Sequence, residues 1–289
     1  METTNWITAS ASVIGSSHVA EGLPCQDSHK VELVVGTNFI IAAVSDGAGS
    51  CQNSQIGSKF QVEKSVEKLA SILKLKGWFE SDFNYSNLED WKSISLNIFK
   101  EVKKELIELS VESNIEFKSL SATLIVSVTN GDFIACANVG DGRAAFRNAN
   151  GDWVAMMIPT KGEEANQTIF LTSELWEDSA SLFFGNSIFH EKVTAFSLMS
   201  DGCERSSFEI LKYIENEDRY YDPNKPFKPF FEPIYSNLIK MYQSGLSSEK
   251  INNLWETFLT NGTDKLSSET DDKTMILSVE HSPKNVTEI

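Results

Sequence analysis

The chain predicts an α+β fold, and three observations carry the prediction. "SATLIVSV" (121–128) meets "DFIACANV" (132–139) across Asn130-Gly131, a dipeptide that favours hairpins. "RAAFR" and "WVAMMI" meet in the same way across 148–151. Between these hairpins and the amino-terminal strands the apolar period lengthens from two residues to the helical spacing. Successive hairpins give antiparallel sheets, and helices lying between strands in the chain must cover a face of those sheets.

In order, "WITASASVI" (6–14) alternates as a half-buried strand does, and "VELVV" (31–35) and "FIIAAV" (39–44) form a hairpin around Gly36-Thr37-Asn38. From Gln55, Val62, Val66, Leu69 and Leu73 fall at helical spacing, with Gly77 placed to end the helix. A second stripe joins Trp91, Ile94, Ile98, Val102 and Leu109. The stretch at about 206–267 reads as the least sheet-like part, with helices in "FFEPIYSNLIKMYQ" and "SSEKINNLWETFLTNG" and with Pro223, Pro226, Pro229 and Pro233 breaking up the approach to them. Its aromatic residues, Trp255 among them, suit either packing on the sheets or recognition of a partner. "TMILSV" (274–279) is a last strand, and a short tail follows residue 280. No linker interrupts this order, so 1–289 reads as one domain.

Composition narrows the function. The chain has 41 Asp and Glu against 25 Lys and Arg, a net charge of −16, which argues against a nucleic-acid partner. "METTNWITAS" lacks the basic and apolar segments of a secretion signal. "FIIAAV" is far below the ~20 residues that span a bilayer, so the expectation is a cytoplasmic protein without membrane attachment. Cys25, Cys51, Cys136 and Cys203 show no C-x-x-C spacing and read as free thiols.

Two apolar runs end alike, "AAVSDGAGS" at Asp46-Gly47 and "FSLMSDG" at Asp201-Gly202. Asp27 in "PCQDS", Asp141 in "NVGDGRA" and the Asp271-Asp272 pair in "ETDDKT" also sit at strand ends or turns. Carboxylates gathered in a partly buried place resist ionisation unless a cation offsets them. An oxygen-only donor set, without His or Cys, suits Mg2+ or Mn2+ better than zinc. Glycine after the acid lets a metal or its water approach the main chain.

"VSDGAGS", "SATLIVSV", "ANVGDGRA", "FSLMSDGCE" and "DDKTMILSV" occur in an order and spacing that resemble the metal-dependent protein phosphatase 2C family, and "SHVAEGLPCQDS" is similar to the amino-terminal motif of its bacterial members. The resemblance spans about 8 to 280. It implies a four-layer α-β-β-α sandwich of two mainly antiparallel sheets, with two Mn2+ or Mg2+ ions at one end and a third, weaker one. It also implies that Asp46 bridges the two ions with the Gly47 carbonyl on one of them, that Asp201 and Asp271 complete the other, that Asp27 holds coordinated water, and that Asp141 helps the third. The implied reaction is hydrolysis of phosphoserine or phosphothreonine, in bacterial signalling, by water activated between ions about 3.5–4 Å apart. The implied partners are a phosphoprotein and an opposing Ser/Thr kinase.

The chain departs from that pattern in several places. No arginine precedes the Asp27 motif, where Gly22 stands, so phosphate anchoring is either weaker or supplied by His18, Arg143 or Lys161, each of which otherwise reads as a surface residue. Gln26 replaces a glutamate, Ala48 a histidine, and Asp272 stands where asparagine is frequent. Two other readings follow from the residues: a catalytically weak regulatory module on the same fold, and an aspartyl-phosphate enzyme. The second is disfavoured because Gly47-Ala48 puts no second acid two residues after Asp46.

Overall fold

The protein is described by a computed structural model covering residues 5–80, 83, 85–160, 168–178 and 181–281. The first half runs β1 (Trp6–Val13), a short helix α1 (Ser16–Glu21), β2 (Ser28–Leu33), β3 (Ile40–Ser45), the long helices α2 (Ser54–Leu75) and α3 (Trp91–Glu112), then β4 (Leu124–Thr129), β5 (Ile134–Val139), β6 (Arg143–Asn148) and β7 (Trp153–Ala155). The second half runs β8 (Gly185–Phe189), β9 (Val193–Met199), α4 (Glu204–Ser207), the short strands β10 (Phe208–Glu209), β11 (Lys212–Ile214), β12 (Arg219–Tyr221) and β13 (Lys225–Pro226), helices α5 (Lys228–Gln243), α6 (Ser248–Asn261) and α7 (Asp264–Ser268), and β14 (Lys273–Glu280).

Two five-stranded antiparallel sheets form the centre, ordered β1-β14-β9-β6-β7 and β2-β3-β4-β5-β8. Their inner faces meet through Ile40, Ala42, Val44, Ile125 and Cys136 from one sheet and Ala144, Phe146, Phe196, Leu198 and Ile276 from the other. The outer face of the second sheet packs on α2 and α3 through Ile41, Val66, Leu69, Phe99, Val126 and Ala135. The outer face of the first packs on α5 and α6 through Ala9, Ala195, Leu277, Phe231, Leu238 and Trp255. Every residue of β3, β4 and β5 is buried, which explains why these strands read as continuous apolar runs instead of alternating ones.

The expected α-β-β-α layering is therefore present, with local differences. The hairpin at Asn130-Gly131 is wider than a two-residue turn, because Thr129 pairs with Ile134; the Asn130 side chain accepts the Asp132 N–H and the Thr129 hydroxyl accepts the Gly131 N–H. Helix α2 ends as expected: Gly77 adopts φ +71°, while its N–H and that of Trp78 donate to the carbonyls of Lys74 and Leu73. Pro229 and Pro233 lie inside α5 and do not break its approach. Pro229 is in the first turn, where its missing N–H is not needed, and Pro233 forfeits one bond that burial of Phe230, Phe231, Ile234 and Leu238 outweighs. The 206–267 stretch also carries two small ribbons, β10 with β13 and β11 with β12, and strand β8 falls where no pattern predicted one.

Candidate active site

Antiparallel register brings the acids together. In one sheet the start of β2 faces the end of β3, Ser28 opposite Ser45, so Asp27 and Asp46 leave at the same edge. The start of β4 faces the end of β5, Leu124 opposite Val139, which sends Asp141 out there too. In the other sheet Met199 at the end of β9 pairs with both Arg143 and Met275, so Ser200-Asp201, Gly142-Asp141 and Asp271-Asp272 all lie at one end. The same end of both sheets thus carries every acid that the sequence singled out.

Thr123 holds Asp46 by two contacts and the preceding Ser45 by a third. Its hydroxyl accepts the Asp46 N–H at 3.0 Å, its N–H donates to the Asp46 carbonyl at 2.8 Å, and its own carbonyl accepts the Ser45 hydroxyl at 2.5 Å. Gly47 bridges to Ala122, and a Cβ there would lie 2.5 Å from the Gln26 carbonyl, so only glycine lets the Asp27 segment approach. No donor among the described residues bonds to the Gly47 carbonyl.

Burial raises the pKa of Asp46 well above the carboxylate range, and the charges of Asp27, Asp201, Asp271 and Asp141 add to it. Asp27 and Asp201 are each pushed up to about 7, first by burial and then by neighbouring acids. Asp271, exposed at the rim, is also raised by burial of its carboxylate, partly offset by the Asp272 N–H it accepts at 2.8 Å. Asp141 is buried and accepts the Thr168 hydroxyl at 2.8 Å.

These residues fit divalent cations. Both carboxylate oxygens of Asp27 and the amide oxygen of Gln26 are buried without a hydrogen-bond partner; Ser200 and Thr274 stand close enough to Asp27 to favour its charge, but neither completes a bond of ordinary geometry. Among the described residues no three His, Cys, Asp or Glu side chains form a complete ligand group around one point. Mg2+ needs no such group, because it binds through one or two carboxylates and keeps several waters.

The three candidate phosphate anchors turn out differently. Arg143 is 1% exposed and fully engaged: it donates to Glu204 at 3.0 and 2.9 Å, to Asn224 at 2.7 Å and to Asp222 at 2.5 Å, with Phe208 under its guanidinium. It is neither a surface cation nor available to phosphate. Lys161 lies outside the described residues. His18 is buried beside Asp272. Gly22 ends α1 at φ +69°, exposed and with nothing near it.

Asp272 is the residue that sequence reasoning undervalued. It accepts the N–H groups of Gly15 at 2.7 Å and Gln26 at 2.6 Å and sits 3.0 Å from His18 Nδ1, fastening α1 and the Gln26-Asp27 segment to the site. The only signal for this was an aspartate where asparagine is frequent. Near Asp141, whose partner Thr168 is in its wall, lies a pocket of about 580 Å3 lined by Ser50, Cys51, Lys118, Ser121, Thr168 and Phe170. Trp255, by contrast, is core: it is 3% exposed and its indole N–H donates to the Met275 carbonyl.

The family model described as protein phosphatase 2C matches residues 14–253. Serine/threonine-protein phosphatase 3 of Escherichia coli (strain K12) is 23% identical over 278 residues, 95% of this chain and 98% of that protein. The serine-threonine phosphatase 2C of Toxoplasma gondii has the same fold at TM-score 0.60 and 13% identity, over 95% of this chain and 94% of that one. A serine/threonine phosphatase of S. agalactiae superposes at TM-score 0.55 and 16% identity, over 95% and 99%. With most of its length matched by that family model, and with its acids carried to one end of the sandwich, the chain belongs to the protein phosphatase 2C family of phosphoprotein phosphatases.

Proposed function

We propose that this chain hydrolyses phosphoserine and phosphothreonine in a protein, with two Mg2+ or Mn2+ ions held at the acid cluster and a third, weaker one near Asp141. The observation that carries this reading is Asp46, set among carboxylates that raise its pKa, beside an unbonded Gly47 carbonyl and an Asp27 whose two oxygens are buried and unpartnered. Asp46, the Gly47 carbonyl, Asp201 and Asp271 would hold the ions, and Asp27 would accept hydrogen bonds from water held there. When bound, the ions lower the pKa of water and offset charge on the phosphoryl oxygens.

The chain itself supplies position. Thr123 fixes the Asp46 backbone at both its N–H and its carbonyl, so the carboxylate is presented with little freedom. Asp272 ties the Gln26 backbone, and with it Asp27, to the Asp271 turn. The pocket lined by Ser50, Lys118 and Thr168 would take part of the phosphopeptide. In this reading 1–289 is one catalytic domain acting in the cytoplasm against a Ser/Thr kinase. No helix among the described residues is long and apolar enough to cross a membrane.

The test is hydrolysis of p-nitrophenyl phosphate by protein that has been chelated and then resupplied with Mn2+ or Mg2+. Metal-restored turnover is expected in the wild type, and a loss of orders of magnitude in folded Asp46→Asn or Asp201→Asn. Near-normal turnover in either variant removes the two-ion assignment. A folded wild type inactive in every metal makes the regulatory module the better account.

A further inference from the structure

Strand β8 ends its sheet and is open on its outer side. It lies last in the order β2-β3-β4-β5-β8, and its register with β5 runs unshifted from Gly185 opposite Asn138 to Phe189 opposite Ile134. Among the described residues none of its main-chain groups bonds to anything beyond β5. An unpaired strand edge is a template for another strand, and proteins commonly blunt it with lysine, other charges, proline or a bulge. The sequence Gly-Asn-Ser-Ile-Phe of β8 has none of these, whereas the opposite edge, β2, carries Lys30 and Glu32.

Beside this edge runs a groove of about 600 Å3, between β8 and the segment that follows β7. The buried Met156 and Met157 form its floor, Phe183 and Phe189 line its β8 side, and Ile158 and Leu182 stand 78% and 90% exposed. Exposed aliphatic residues scattered singly need no partner, but these two flank one apolar groove next to an open edge. None of the described residues lining it is charged, in a chain whose net charge is −16. The groove leads to the acids. Gly185 pairs with Asn138, shortly before Asp141, and at the same end the Thr160 N–H donates to the Gly140 carbonyl at 2.8 Å while the Thr160 hydroxyl accepts the Gly140 N–H at 2.7 Å. From there β8 runs away from the site for about 17 Å.

We infer that β8 seats the phosphoprotein substrate: an extended, uncharged, apolar stretch next to the phosphorylated residue adds to its open edge as a further strand of that sheet. The inference rests on the phosphatase reading above. Main-chain hydrogen bonds to β8 give affinity, and alternate side chains give specificity. Gly185, Ser187 and Phe189 share a face with Cys136, which is turned towards the other sheet. Side chains of the added strand therefore point in turn to Met156 and Met157 on that face and to Phe183 on the other. Methionine is unbranched and polarizable, so the first wall accepts apolar groups of different shape.

The experiment measures kcat/KM of the wild type, with Mn2+ present, on phosphoserine peptides that carry a short run of valine and isoleucine on the amino or the carboxyl side of the phosphoserine. The same peptides with proline and lysine placed in that run are the controls, and p-nitrophenyl phosphate reports the basal reaction. On one of the two sides the apolar run should raise kcat/KM about tenfold or more over its control, the sum of a few cross-strand contacts. Single N-methyl groups along that run should remove the gain at alternate positions, because every second N–H of an added strand faces β8. Ile158→Lys and Leu182→Lys, both on the exposed rim, should lower kcat/KM for the apolar peptide about tenfold more than for p-nitrophenyl phosphate.

The peptide series on the wild type carries the test should either variant fail to fold. Turnover of p-nitrophenyl phosphate alone, or equal kcat/KM for apolar and control peptides on both sides, overturns the inference and leaves the phosphatase reading standing. Loss at every N-methyl position, or at none, means apolar contact without strand pairing and overturns it as well. A wild-type dimer that Leu182→Lys dissolves, with peptide kinetics unchanged, gives the edge to a second copy of the chain and overturns it too. A folded wild type that turns over neither the peptides nor p-nitrophenyl phosphate in any metal overturns the phosphatase reading and this inference with it.

Discussion

Asp27 shows how a single residue bears a cost that a ligand removes. Its carboxylate is 5% exposed and unpartnered, and its pKa is pushed up to about 7, as is that of Asp201, by burial and by neighbouring acids. A carboxyl whose pKa is raised in the folded state holds its proton more tightly there than in the unfolded chain. Its contribution therefore favours folding below the ordinary carboxylate range and is lost as pH rises from about 4 towards 7. Each such group changes stability by about 1.4 kcal/mol per pH unit within that window. Metal-free protein should accordingly melt higher at pH 6 than at pH 8, by differential scanning fluorimetry with chelator present. Asp27→Asn should flatten that dependence, and Mn2+ at pH 8 should restore what deprotonation removes. A melting temperature that rises with pH across this interval would contradict the assignment.

At the scale of elements, the buried Arg143 at the head of β6 determines how the 204–226 stretch lies on the site end of the sandwich. It reaches Glu204 in α4 and Asp222 and Asn224 between β12 and β13, while Phe208 of β10 lies under its guanidinium. Glu204 and Asp222 retain partial exposure, 18% and 37%, so losing the arginine would not strand two fully buried charges. The expected cost of Arg143→Ala is about 2–3 kcal/mol, below the 3–5 kcal/mol found when a wholly buried pair loses one member. Hydrogen exchange should quicken between 208 and 226 and stay unchanged in α2, which rests on the other sheet. Unchanged exchange in the ribbons would mean that β10 and β13 are held by other contacts. Sequence reasoning placed this arginine on the surface because long cations usually are there; its burial depends on three partners more than 60 residues away in the chain.

For the whole molecule, a net charge of −16 surrounds a site that must admit an anion. The long-range field opposes phosphopeptides with acidic flanks and favours those with basic flanks, and salt weakens both effects because screening shortens to about 8 Å at physiological ionic strength. Raising the salt from low to physiological should therefore lower KM for an acidic phosphopeptide, raise it for a basic one, and leave kcat nearly unchanged in steady-state assays. The sequence by itself determined the layers of the fold and the names of the acids. Alternation in "WITASASVI", the helical stripes of α2 and α3 and the aspartates closing "AAVSD" and "LMSD" are local patterns that record burial and turn chemistry residue by residue. Only the tertiary structure decided which ends meet. Antiparallel register puts the starts of β2, β4, β6 and β14 beside the ends of β3, β5 and β9, which gathers Asp27, Asp46, Asp141, Asp201 and Asp271 at one edge. The same long-range pairing set His18 on Asp272 and buried Arg143, and it added β8 as an edge strand beside β5. A local pattern reports how deep a residue lies, whereas the identity of its neighbour is set by packing between segments far apart in the chain.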